Sequence, residues 1–168
     1  GVMGLEAAWE LKQGGCRVTV LEGAPGLLPK QLDDKASAML EGIVTGCGID
    51  VVTGAGISQI TASDVKLNDG RSFAADLVIM STGMRPNTAI AEAAGIKTEN
   101  GFICVDAHMH TSAADVYACG DCVTYDGQPQ AFWAQASETG RIAGADAAGE
   151  PLTYSPLSGS LSINAFNT

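Results

Sequence analysis

Between residues 111 and 121 the sequence Thr-Ser-Ala-Ala-Asp-Val-Tyr-Ala-Cys-Gly-Asp carries the side chains best suited to hold a ligand. A polar turn leads into a short β-branched and aromatic run, and a Gly-Asp pair follows. Val116 to Ala118 read as a buried strand, with Gly120 and Asp121 where that strand leaves the sheet. In open α/β sheets, ligands bind beyond the carboxyl ends of the strands. A glycine there lets backbone approach a ligand closely, and an aspartate accepts hydrogen bonds from ligand hydroxyls.

A second group stands at the other end of the chain. Gly1-Val2-Met3-Gly4 opens directly into a helical pattern and reads as the second half of a G-x-G-x-x-G loop. In such a loop Gly1 lets backbone approach a pyrophosphate, Gly4 allows close helix–strand packing, and the helix N-terminus favours the phosphate charge. Glu22 ends the next strand, where an acid can accept hydrogen bonds from ribose hydroxyls and repel a 2′-phosphate. This favours NADH over NADPH. A solvated strand-end acid is the plainer reading of the same residue.

These groups need a scaffold, and the hydrophobic pattern supplies one. Gly4 to Gln13 read as a helix stopped by Gly14-Gly15, and Arg17 to Leu21 as a strand. Asp33 to Thr45 read as an amphipathic helix with Ala36, Met39, Leu40, Ile43 and Val44 on its apolar face, followed by a strand over Ile49 to Thr53. Three antiparallel strands are expected at Ile57 to Ile60, Val65 to Leu67 and Arg71 to Phe73, the last two joined by the Asn68-Asp69-Gly70 turn. Leu77 to Ser81 read as a buried strand ending in Thr82-Gly83. Met84 to Asn87 read as a crossover between domains, followed by a short helix near Thr88 to Ala94 and a strand over Phe102 to Val105. Phe132 to Ala148 form a long Ala-rich helix, expected to soften at Gly140 and Gly144 and to exit at Pro151.

The segment ending in Gly120-Asp121 resembles the second flavin motif of the FAD-dependent pyridine nucleotide-disulfide oxidoreductases. Gly1-Val2-Met3-Gly4-Leu5-Glu6-Ala7-Ala8 resembles that family's NAD-domain signature. Ser81-Thr82-Gly83-Met84-Arg85-Pro86-Asn87-Thr88 resembles the segment that closes its NAD domain, and residues 132–144 resemble the helix after its flavin aspartate. The order of these matches carries the resemblance, and its nearest flavour is the NADH oxidase, rubredoxin reductase and coenzyme A-disulfide reductase branch.

The resemblance implies an α/β fold. A Rossmann-like three-layer NAD(P)-binding domain with a β-meander insertion would occupy residues 1–85. The C-terminal part of an FAD-binding domain would occupy 86–149, and the start of an interface or dimerisation domain 150–168. It implies that Gly1, Gly4, Glu22 and Gly83 face NAD, and that Gly120, Asp121, Phe132 and Trp133 face FAD. The helix that Phe132 and Trp133 open would point its positive end at the flavin ring. Glu6 would lie near the nicotinamide as the one catalytic candidate; it reads equally as an exposed acid in a first helical turn. Arg85 reads as a partner for a phosphate or a carboxylate, or equally as an exposed structural arginine.

The implied activity is hydride transfer from NADH to FAD, then electron transfer to a small molecule or a small redox protein. Gly1 is not a methionine, and both ends read as cut. The expectation is therefore a piece of a larger flavoenzyme whose FAD-domain glycine loop and first NAD-domain strand precede residue 1. Two other readings stand beside it: a non-catalytic nucleotide-binding module, and an inactive proteolytic core. Pairing of an exposed sheet edge across a homodimer also stays open.

Bulk properties narrow the classes. The 168 residues suffice for one compact core or two small ones, and 46% hydrophobic content with 21 glycines suits a turn-rich α/β protein. A net charge of −10 argues against nucleic acid or an anionic membrane as partner. There is no apolar run of transmembrane length, and the default expectation is a cytoplasmic protein. The five cysteines at 16, 47, 104, 119 and 122 do not read as a disulfide framework, and several are expected as reduced core thiols. Cys119-Gly120-Asp121-Cys122 spells C-x-x-C, but it overlaps the aspartate turn and has no second pair. His108 and His110 share a face of an extended segment and are expected as surface residues, with no metal bound.

Overall fold

The first helix stops where its sequence says it must. In α1 (Val2–Gln13), Gly15 takes φ +85° and donates to Lys12 O, while Cys16 N donates to Leu11 O. This pair of bonds forms a Schellman motif, which satisfies carbonyls the helix would otherwise leave open and which glycine enters at low cost. The computed structural model describes residues 1–157 and 162–166, a mixed α/β chain in two compact units. One unit is Gly1–Gly83 with Leu161–Thr168; the other is Met84–Ser160.

In the first unit, β1 (Thr19–Leu21) and β2 (Asp50–Val52) pair in parallel, with Thr19 opposite Asp50 and Leu21 opposite Val52. The crossover between them is α2 (Asp34–Gly46), started by the Asp33 carboxylate accepting from Ala36 N at 2.8 Å. Such a cap contributes about 1 kcal/mol. The antiparallel meander follows as β3 (Ile57–Ile60), β4 (Asp64–Leu67) and β5 (Ser72–Ala74), in that spatial order. Leu5, Ala8, Leu27, Leu28, Val44 and Ile49 form the core, joined by Ala165 and Phe166. Phe166 meets Trp9 edge-on, with ring centroids 5.5 Å apart.

In the second unit, α3 (Ala89–Ala93) precedes a four-stranded sheet. Its strands are β6 (Thr98–Glu99), β7 (Phe102–Val105), β8 (Val123–Tyr125) and β9 (Gln128–Pro129) in spatial order, with only β7 and β8 parallel. The long helix α4 (Trp133–Ala147) lays Ile142 and Ala143 on Met109 and Tyr154.

Several expectations need correction. Residues 77–81 form no ladder among the described residues, and Leu77 and Met80 are 67% and 69% exposed. β1 and β2 pair only with each other, so no described strand runs beside this apolar segment. Val116 to Ala118 is likewise not a buried strand: only Tyr117 bridges, to His110, and Val116 is exposed. On α2 the buried face is turned toward Ser37 and Val44, leaving Met39 and Ile43 exposed. Ser37 is drawn in because its hydroxyl donates to Leu27 O at 2.8 Å. Neither Gly140 nor Gly144 breaks α4; each glycine weakens a helix by about 1 kcal/mol, and the buried face of Gln135, Thr139, Ile142 and Ala143 holds it straight through both.

None of the five cysteines is a buried core thiol: Cys16 and Cys119 are exposed, and the other three are half-buried. Residues 151–157 form no strand. They lie on the second unit, with Tyr154 N donating to Ala107 O, whereas 162–166 lie in the first. Positions 158–161 and 167–168 of the expected interface segment fall outside the described residues.

Candidate functional site

At the carboxyl end of β1 the ladder runs on for one residue, Glu22 N donating to Val52 O at 2.9 Å. This fixes the backbone of Glu22, and its side chain folds back so that Oε1 accepts from Ala24 N at 3.0 Å. Oε2 then lies 3.7 Å from the nitrogen of Gly1, and the side chain is 22% exposed. The strand-end acid and the glycine turn thus meet at one corner. A cofactor hydroxyl placed there finds an acceptor-only carboxylate beside the N-terminus of α1.

Gly4 stands one turn into α1. An ideal Cβ on it would lie 3.1 Å from Ser81 Cβ, tighter than ordinary side-chain contact, so a larger residue there would require Ser81 to shift. Gly83, two residues beyond Ser81, has φ +85° with open space where a Cβ would sit. Gly1 and Glu22 thus meet at the start of α1, Gly4 faces Ser81 from the same helix, and Gly83 lies two residues beyond Ser81. Glu6 is turned elsewhere, its Oε1 accepting from Asn164 N at 3.1 Å. Arg85 is exposed and forms no ion pair among the described residues.

The second set lies in the second unit. Gly120, Asp121 and Cys122 form a single 3₁₀ turn, with Gly120 at φ +81°. Gly120 N donates at 3.0 Å to Oγ1 of Thr139, a fully buried residue of α4 that in turn donates to Ala136 O. Asp121 is exposed, and no hydrogen bond or ion pair engages its carboxylate among the described residues. Phe132 and Trp133 sit at the start of α4, Trp133 being 87% exposed; Gln135 Oε1 accepts from Phe132 N at 3.3 Å. The Gly120 turn meets α4 at Thr139, about 9 Å along the helix from Trp133 at 1.5 Å per residue. A ligand engaging both must be elongated.

Sequence reasoning missed Thr139, whose partner Gly120 lies 19 residues away in the chain. His108 and His110, read from the sequence as surface residues sharing a face, are 37% and 40% exposed and reach carboxylates on both sides. His110 Nδ1 is 3.0 Å from Asp106 Oδ2, and its Nε2 is 3.0 Å from Asp146 Oδ1. Tyr117 OH donates to the same Asp146 oxygen at 2.8 Å, and His108 Nδ1 is 2.9 Å from Leu152 O and 3.5 Å from Asp146 Oδ2. The hydrogen bond to Asp106 raises the His110 pKa, with both carboxylates adding to it. Partial burial pushes the Asp106 carboxyl up, but hydrogen bonds from the His110 ring and from the His108 and His110 N–H groups outweigh it and leave the carboxyl below its ordinary value. Bonding to Asp146 raises the Tyr117 phenol. In the C-x-x-C, burial pushes the Cys122 thiol up and its Sγ donates to Cys119 O, the opposite of an activated dithiol. Among the described residues no group of three or more His, Cys, Asp or Glu is arranged to hold a metal, and no helix is long and apolar enough to cross a membrane.

A parallel β-α-β unit with a glycine turn and a strand-end acid, and further along a four-stranded sheet with a Gly-Asp turn braced on a helix, make this a mixed α/β protein. The family model described as pyridine nucleotide-disulphide oxidoreductase matches residues 1–148, and the chain belongs to that family. It is 36% identical over 160 residues to the NAD(P)H nitrite reductase large subunit of Klebsiella oxytoca, covering 92% of this chain and 17% of that protein. An NAD-dependent persulfide reductase from A. fulgidus superposes with TM-score 0.85 at 33% identity, over 92% of this chain and 30% of that one. The covalent putidaredoxin reductase–putidaredoxin complex superposes with TM-score 0.87 at 26% identity, over 99% of this chain and 42% of that one. The chain spans less than half the length of each.

Proposed function

We propose that the protein carries out NADH-dependent reduction of a bound FAD and passes the electrons to a small redox protein or small molecule. Family membership supports the class of reaction, and the chain carries one acid-bearing corner for each cofactor. The observation that carries the reading is the Glu22 corner, a carboxylate held at the end of β1 beside Gly1. Its acceptor-only oxygens suit the paired hydroxyls of an NADH ribose and repel the extra phosphate of NADPH.

Asp121 fits the FAD side, since it is exposed, acceptor-only and unengaged, on a turn whose backbone is fixed by Thr139. FAD, when bound, supplies the hydride acceptor and the one-electron outlet. Asp121 would accept hydroxyl hydrogen bonds, Thr139 would hold the turn, and the N-terminus of α4 at Phe132 and Trp133 would favour negative charge brought near it. Glu6 in this reading positions rather than reacts, because its carboxylate already holds Asn164.

The names of the relatives support a redox partner as acceptor, one being a reductase in covalent complex with putidaredoxin. A homodimer belongs to the same reading, and sedimentation of the full-length protein at micromolar concentration decides it. A cytoplasmic site of action is proposed with it, on the five free thiols.

The test is the visible spectrum of the full-length protein before any cofactor is added. A flavin spectrum bleached by NADH without air is expected, and Asp121→Ala should lower FAD affinity about tenfold or more, as loss of a charge-assisted hydrogen bond does. A protein that stays colourless with added FAD overturns the reading.

A further inference from the structure

The geometry assigns His110 as a positioning residue: in its protonated form it latches the segment leading into the Gly120–Asp121 turn onto α4. The inference deepens the flavin-side reading of that turn and rests on it. Both ring nitrogens of His110 face carboxylate oxygens at 3.0 Å, Asp106 on one side and Asp146 on the other. Ionised carboxylates only accept, so both contacts are made only when both nitrogens carry a proton. A neutral ring aims a lone pair at one of them.

Asp106 precedes the segment, Asp146 lies in the last turn of α4, Tyr117 OH and His108 Nδ1 reach Asp146, and Asp115 acts on Tyr117 from the loop. Neither lysine nor arginine takes part. Helix α4 has no basic residue in its last turn, so an imidazolium at His110, closer to Asp146 than His108 is, would balance that carboxylate and the negative helix end.

The latch reaches the turn through short, defined connections. His110 bridges Tyr117 in antiparallel fashion, Thr111 N donates to Val116 O, and Ala118 N donates to Met109 O. Two residues later Gly120 N meets Thr139. Thr139 and Asp146 are seven residues apart, two helical turns, and so lie on one face of α4 with Ile142 and Ala143 between them. The segment is thus pinned to α4 at two points: Thr139 holds the turn itself, and Asp146 holds the ribbon behind it.

The pH sense follows. The folded His110 value lies above the ordinary 6.5, so the latch contributes fully below pH 6.5 and is lost as pH rises through the raised folded value. The experiment uses the full-length protein. The His110 ring is titrated by NMR in the native protein and in Asp106→Asn, and melting temperature and FAD affinity are compared with His110→Gln at pH 6 and pH 9. We expect a native titration above 6.5 that falls in Asp106→Asn. His110→Gln should melt lower and bind FAD about fivefold more weakly at pH 6, the low end of typical coupling between sites, with both differences closing at pH 9. A native titration at or below 6.5, or differences equal at the two pH values, overturns the latch. A raised titration in a protein that takes up no FAD keeps the latch and overturns the flavin reading alone.

Discussion

The Glu22 corner and the Asp121 turn place an acid in opposite ways. Glu22 is held by its own neighbourhood, through the ladder bond to Val52 and the bond from Ala24 two residues on, and its carboxylate is already engaged. Asp121 has an unengaged carboxylate, and its turn is held by residues far along the chain, Thr139 and, through the ribbon behind it, Asp146. The first acid is positioned locally and partly satisfied; the second is positioned remotely and left free. Damage to the supports should therefore act differently on the two.

The largest effect is expected from Leu5→Ala, which empties a 1% exposed core position of the first unit. A loss of about 2–5 kcal/mol is typical, and denaturant titration followed by Trp9 fluorescence measures it. Next comes Thr139→Val, which keeps shape but leaves Gly120 N without its acceptor. We expect about 1–3 kcal/mol, faster amide exchange at Gly120, and weaker FAD binding with NADH affinity unchanged. Equal losses for both cofactors would break the comparison. Glu22→Gln should reverse that pattern: about tenfold weaker NADH binding, a smaller preference over NADPH, and unchanged FAD, read by fluorescence titration. The smallest effect, about 1 kcal/mol with neither cofactor affected, is expected for Asp33→Ala, which removes only the cap of α2.

The same contrast explains what the sequence could reveal. Local devices were legible: Gly14-Gly15 as a stop, Asp33 as a start, Asn68-Asp69-Gly70 as a turn. Asn100-Gly101 and Asp126-Gly127 make equally tight turns with positive φ, yet β6 and β9 on their outer sides are two residues each, too short for alternation to show. Glu22 could be found because strand, acid and glycine turn follow one another closely. Thr139 and the His110 pair could not, since 19 residues separate Gly120 from Thr139 and 36 separate His110 from Asp146. The apolar run at 77–80 showed which side chains call for cover. It could not show whether any described strand gives it.

One feature of α4 reaches beyond this molecule's chemistry. Its two anchor points work as a ruler with a fixed phase. One residue inserted between Thr139 and Asp146 would swing the second anchor by about 100° and move it about 1.5 Å along the axis. No small adjustment of the ribbon restores both contacts at once. An insertion or deletion between 139 and 146 is therefore expected to cost one of the two contacts, which a substitution at the positions between them need not do.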